Sequence, residues 1–256
     1  MKRINEAFNE KAFIAYLMAG DPTLPLCAEY LLTAQDAGAD LIEIGIPFSD
    51  PIAEGETIQA ASIRALHSGA HLPAIFNMLT EIKEQIKVPL VIMTYLNPVF
   101  VFGYDRFFQA CAKANVAGII IPDMPFEEQV EIKERARPFG VEVISLIAPS
   151  SEARCINIAQ NAEGFIYLVS SMGVTGMRSK INNELAPLVK RIRSATSIPV
   201  AIGFGISSPE QASSYAAIAD GVIVGSAIVK IIEEHGAHAK EALFAYISEM
   251  KAALGT

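Results

Sequence analysis

Cysteine, histidine and basic charge are scarce in this 256-residue chain, and each shortage removes a class of function. The three cysteines, Cys27, Cys111 and Cys155, stand far apart with no CxxC spacing. An odd, scattered set is no disulfide framework; it suits buried apolar thiols in a reducing compartment. Twenty basic residues against 28 acidic ones leave a net charge of −8, which argues against a nucleic-acid backbone or an acidic membrane surface as the main partner. A small phosphate can still bind to such a chain, but it must be held locally. No stretch approaches the roughly 18 consecutive apolar residues of a spanning helix, and Met1 to Glu6 is no greasy leader. The expectation is a soluble, cytoplasmic protein. Nor do low-complexity segments, charge blocks or Ser/Gly linkers mark a boundary, so residues 1–256 read as a single domain.

What is present is an alternation. Apolar residues make up 52% of the chain and charged residues 19%, a globular composition. Eight short apolar runs recur: Phe13–Met18, Leu41–Gly45, Leu90–Tyr95, Gly118–Ile121, Val141–Ile147, Gly164–Val169, Pro199–Ile202 and Gly221–Val224. Continuous β-branched runs bounded by Gly or Pro suit strands buried on both faces. Between them lie stretches of helical period, clearest at Leu26–Asp36, Tyr104–Ala114, Phe126–Arg137, Glu152–Asn161 and Asn183–Ala195. Small residues (Ala37-Gly38-Ala39-Asp40, Ala117-Gly118, Ala162-Glu163-Gly164, Ala219-Asp220-Gly221) recur just before strands, where the chain must turn tightly. Eight βα units in a chain of this length predict an α/β fold, a (β/α)8 TIM barrel, ahead of a doubly wound open sheet. The first βα turn, Gly20-Asp21-Pro22-Thr23, lacks the GxGxxG of a dinucleotide fold.

In a barrel, chemistry belongs at the C-terminal strand ends. Three glycine-bearing segments follow the last three runs: Ser170 to Gly176, Gly203-Phe204-Gly205-Ile206-Ser207 and Gly225-Ser226-Ala227. Backbone N–H groups brought close by glycine, together with a helix N-terminus, make a phosphate site. Glu43 interrupts the second run and should point into the barrel, where desolvation favours its neutral form. The loop from Phe48 to Gln59 follows, with the acids Asp50, Glu54 and Glu56; one of these could meet Glu43 over a ligand, and Glu56 reads as solvent-exposed. Ser171 to Ile181 reads as a lid over the phosphate. No lysine interrupts a strand run and the four histidines lie away from strand ends, so a Schiff-base or metal-dependent aldolase is not expected, and no metal ligand is assigned.

The segment Leu41 to Pro51 (LIEIGIPFSDP) resembles the tryptophan synthase α-subunit family. So do Gly20-Asp21-Pro22, Tyr95-Leu96-Asn97-Pro98, Pro122-Asp123-Met124-Pro125, Gly173-Val174-Thr175-Gly176, Gly203 to Ser207 and Gly225-Ser226, in order over nearly the whole chain. The resemblance implies a lyase that splits indole-3-glycerol phosphate into indole and glyceraldehyde 3-phosphate. It also implies a β-subunit partner that carries pyridoxal phosphate, in an α2β2 assembly, with no cofactor in this chain. Glu43 matches the family's general acid/base, Tyr167 a tyrosine near the scissile carbon and Phe204 an aromatic beside the indole. Gly176, Gly205, Gly225 and Ser226 match the phosphate cradle, and Thr175 a threonine of the mobile loop. Asp21, Pro47, Asp50, Asn97 and Asp123 match positions at the subunit interface or its signalling loops. Five positions depart. Glu54, followed by Gly55-Glu56, stands where the family has Asp-Gly-Pro; that carboxylate is expected to accept the indole N–H. Ser171 stands where many members have arginine, Tyr16 where many have phenylalanine, and Leu96 where a smaller residue is frequent. A non-catalytic activator of a β subunit and a stand-alone indole producer are the alternatives.

Overall fold

The computed structural model describes residues 3–149, 151–169 and 178–255. Among the described residues nine parallel strands form one sheet: β1 (Ala12–Met18), β2 (Leu41–Gly45), β3 (Leu90–Met93), β4 (Val116–Ile120), β5 (Glu142–Val143), β6 (Ser145–Ile147), β7 (Ile166–Val169), β8 (Val200–Gly203) and β9 (Gly221–Val224). The neighbours run β5-β4-β3-β2-β1-β9-β8-β7-β6. The fifth apolar run is therefore split at Ile144: β5 pairs with β4 and β6 with β7. Ile144 donates its N–H to the carbonyl of Ile119 at 2.9 Å, which carries the chain across the split. The sheet curls into a nearly closed barrel, and the open-sheet alternative is excluded.

Eleven helices among the described residues surround it: α1 (Leu24–Asp36), α2 (Glu56–His67), α3 (Leu72–Ile82), α4 (Leu96–Phe102), α5 (Tyr104–Lys113), α6 (Gln129–Ala136), α7 (Glu152–Gln160), α8 (Arg178–Ala195), α9 (Pro209–Ala216), α10 (Ser226–His235) and α11 (Lys240–Ala252). None is long and apolar enough to cross a membrane. Two sequence expectations shift. The loop expected from Phe48 to Gln59 ends at Gly55, because Glu56 begins α2, where its exposed carboxylate meets the positive helix end. The expected lid keeps its residues 171–177 outside the described part, and its remainder, from Arg178, is the first turn of α8.

Strand periodicity divides the core in two. Alternate residues such as Ala12, Ile14, Leu41, Val91, Ile144 and Ile223 fill the barrel interior, whereas the opposite faces pack under the helices in a larger cluster. A 3-10 turn, Ile4–Phe8, closes the N-terminal end, with Ile4 fully buried and the Phe8 ring 5.6 Å from that of Phe165. The floor is solid, so any ligand must enter at the other end.

Acids in three of the small-residue turns stitch that floor. Asp40 accepts from the N–H of Phe13 in β1 at 2.6 Å and from the Lys251 ammonium at 2.8 Å. Asp220 accepts from the N–H of Val200 in β8 at 2.9 Å, and Glu163 from that of Val143 in β5 at 3.2 Å. Each acid precedes its own strand and holds the start of a neighbouring run. The fourth small pair, Ala117-Gly118, lies inside β4 instead. Asp40→Ala should lower unfolding stability by about 1–3 kcal/mol, because it leaves the Phe13 N–H without its acceptor. Urea melts measure this, and an unchanged midpoint would show that the stitch carries no stability.

Candidate functional site

At the C-terminal end of the barrel opens a cavity of about 490 Å³. Its lower wall is made of strand residues: Tyr16 of β1, Glu43 of β2, Met93 of β3, Leu146 of β6, Tyr167 of β7, and Ile223 of β9. Tyr16 and Glu43 are direct partners in the β1–β2 register. Both Glu43 oxygens and the Tyr16 hydroxyl are buried without a hydrogen-bond partner among the described residues. Glu43 is 1% exposed, and burial lifts its pKa from 4.5 to about 8. It is a neutral acid at pH 7 that has no structural bond to make.

Glu54 enters from above, on the loop that follows β2. Tyr95 accepts from the N–H groups of Ile52 and Ala53 at 3.1 and 2.9 Å, and Gln59 donates to the Glu54 carbonyl at 2.8 Å. The ring of Phe48 rests 5.4 Å from that of Tyr95. This bracing places Glu54 on the same cavity as Glu43. Partial burial raises its pKa to about 7. This role of Tyr95 is not legible in the sequence, because its partners come from the preceding βα loop.

The opposite wall is Phe204 to Ser207 after β8 and Gly225 to Ala227 after β9. Phe204 has φ +77° and Gly205 φ +76°. The left-handed region suits the glycine but strains the phenylalanine, and such strain collects at working sites. It turns the Phe204 ring outward, 45% exposed and 6.1 Å from Tyr167 in an edge-on arrangement. Gln211 holds the turn by accepting from the N–H groups of Ser207 and Ser208 at 2.7 and 3.2 Å. Gly225 and Ser226 sit where α10 begins, so the positive helix end faces the cavity. Lys230, one turn further along α10, is the one cation among the described lining residues. It escaped the sequence reading because only helix geometry brings it back over Ser226.

Seven of the expected site residues thus share one cavity: Glu43, Glu54, Tyr167, Phe204, Gly205, Gly225 and Ser226. Thr175 and Gly176 lie outside the described residues. The five positions expected at an interface do not cluster in this cavity. Asp21 is buried, with both oxygens taken by the Arg64 guanidinium at 2.9 Å. Asp123 caps α4 by accepting from the Leu96 N–H at 3.0 Å. Pro47 is buried, while Asp50 and Asn97 are exposed.

A model of the tryptophan synthase alpha chain family matches residues 2–254. The chain belongs to this family. It is 52% identical over 228 residues to the tryptophan synthase alpha chain of Lactiplantibacillus plantarum, covering 89% of this chain and 86% of that one. It is 43% identical to that of Lacticaseibacillus casei, covering 99% and 96%. Among solved structures, the tryptophan synthase subunit alpha of Legionella pneumophila superposes with a TM-score of 0.90 at 35% identity, covering 99% of this chain and 98% of that one. Membership makes the protein a TIM-barrel lyase of tryptophan biosynthesis, and an alpha chain implies a beta-subunit partner.

Glu43 also sets a stability test. Its folded pKa lies above the unfolded one, so the folded state keeps a proton that the unfolded state releases, and stability falls as pH rises from about 4.5 to about 8. Such a difference is worth about 1.4 kcal/mol per pH unit. Glu43→Gln should therefore unfold later than the parent above pH 8, by a few kcal/mol, with the gap closing toward pH 4.5. A gap that does not vary with pH would mean that Glu43 is ionised in the folded protein.

Proposed function

We propose that this single barrel domain cleaves indole-3-glycerol phosphate to indole and glyceraldehyde 3-phosphate, using Glu43 and Glu54. The observation that carries this reading is one cavity with a neutral, unpartnered carboxyl at its base, a second carboxyl above it and a helix N-terminus opposite. Gly205, Gly225 and Ser226 hold the phosphate, joined by Thr175 and Gly176 on the strength of the family resemblance. Phe204 lies beside the indole ring and Tyr167 near the scissile carbon.

Glu43 protonates indole C3 and, as the resulting carboxylate, takes the proton of the glycerol hydroxyl next to the ring. The C3–carbon bond then breaks, its electron pair returns to the ring, and the former hydroxyl carbon leaves as the aldehyde. Glu54 accepts the indole N–H and opposes the positive charge that protonation places on the ring. The ring is the electron sink, so the residues named suffice. Glutamate in place of the usual aspartate extends the reach by one methylene, and the bracing by Tyr95 and Gln59 sets where that reach ends. The beta subunit that consumes the indole carries the pyridoxal phosphate, and the two chains assemble as α2β2 in the cytoplasm. Asp21, Pro47, Asp50, Asn97 and Asp123 serve that interface or its signalling loops.

The purified chain should release indole from indole-3-glycerol phosphate, and faster with a cognate beta subunit. Glu43→Gln should lower turnover by about a thousandfold while sparing substrate binding. Because Glu54 must be ionised and Glu43 protonated, kcat/KM should rise through about pH 7 and fall through about pH 8. No cleavage in either mixture by folded protein, or Glu43→Gln activity near that of the parent, would refute the reading.

A further inference from the structure

Two tyrosines face this cavity, and they are built alike. Tyr167 pairs in register with Ala201 of β8, and its phenol lies over Gly203, two residues further along that strand. A Cβ on Gly203 would come within 2.6 Å of the Tyr167 hydroxyl oxygen. Tyr16 pairs with Glu43 of β2, and its phenol lies over Gly45, again two residues further along. A Cβ on Gly45 would collide with the Tyr16 hydroxyl. In each case a glycine at the end of the next strand makes room for a hydroxyl at the base of the cavity. The two differ in their surroundings. The Tyr16 hydroxyl is buried with no partner among the described residues, and its ring flank stands 3.5 Å from where a Gly225 Cβ would be, against the start of the cradle.

A buried hydroxyl without a partner costs free energy that a phenylalanine of the same shape would not. Burial, with Glu54 and Glu43 nearby, holds the Tyr16 phenol well above its usual pKa of 10, so it stays neutral and can both donate and accept. Its position, between the Gly225 end of the cradle and the strand of Glu43, spans the part of the cavity where a chain joining ring to phosphate must run.

We propose that the Tyr16 hydroxyl is a substrate-binding and specificity group that hydrogen-bonds a hydroxyl on the three-carbon chain between indole and phosphate, which rests on the lyase reading above. Phenylalanine would leave that hydroxyl facing a ring. Tyr16 therefore favours a hydroxylated chain over a plain alkyl one, and contributes contacts that Tyr167 and the two acids do not.

The test compares Glu43→Gln with Glu43→Gln/Tyr16→Phe by calorimetry, using indole-3-glycerol phosphate and indole-3-propyl phosphate, which keeps ring and phosphate but lacks both chain hydroxyls. The added Tyr16→Phe change should weaken binding of the glycerol compound about three- to tenfold, as one hydrogen bond does. It should leave the propyl compound unchanged or tighter. Equal effects on both ligands, or none on either, would overturn the assignment while leaving the lyase reading intact. Failure of Glu43→Gln itself to bind indole-3-glycerol phosphate would refute the lyase reading, and the Tyr16 assignment with it. In the parent enzyme Tyr16→Phe should lower kcat/KM by a similar factor without moving the pH limbs.

Discussion

A carboxyl group held in the barrel interior, with both oxygens unpartnered among the described residues, is the constraint on which the rest of this structure turns. Water would solvate Glu43 and a nearby arginine would pair with it; either would make it an ordinary carboxylate. The barrel denies both. The floor beneath is filled by Ile4, Ile14 and Leu41, and its register partners are Tyr16 and Val91, on strands that flank it in the sheet. The folded state is asked to keep a proton there, and the hydrophobic packing of the other strands and helices supplies the stability that allows it.

From that point the site is assembled by loops, each anchored by a residue outside it. Tyr95 and Gln59 hold the Glu54 loop, Gln211 holds the Phe204 turn, and the first turn of α10 presents Ser226. The division suits a catalyst: the strands set the position of the acid, and the loops set the position of what it acts upon. The replacement of aspartate by Glu54 sits on one of these loops, where a braced backbone can offset an added methylene. Glu56, in place of a proline, opens α2 from its first turn, a position where an acid interacts favourably with the helix dipole.

Much of this was legible in the residues. Eight apolar runs separated by helical stretches specify a parallel barrel because a strand buried on both faces leaves no polar alternation to read. Glu43 stood out because a carboxylate inside such a run must point inward or be anomalous. The glycines after the last strands marked the phosphate end by the same kind of local chemistry. Boundaries were less legible: β5 and β6 lie within one run, since a break at Ile144 is a change of pairing partner and leaves no mark on hydropathy. The floor-stitching acids were visible only as neighbours of small residues, because the N–H groups they accept belong to strands distant in sequence.

The sequence by itself determined the alternation of elements, the class of fold, the family and the identity of the buried acid, all properties that follow from residue type and spacing along the chain. Tertiary structure alone decided that Glu43 lacks a partner among the described residues, that Tyr16 lies level with it over Gly45, and that Lys230 and Ser226 share a wall. Those facts depend on sheet register and on helix rotation, which bring together atoms separated by tens to hundreds of residues, and no local pattern records such meetings.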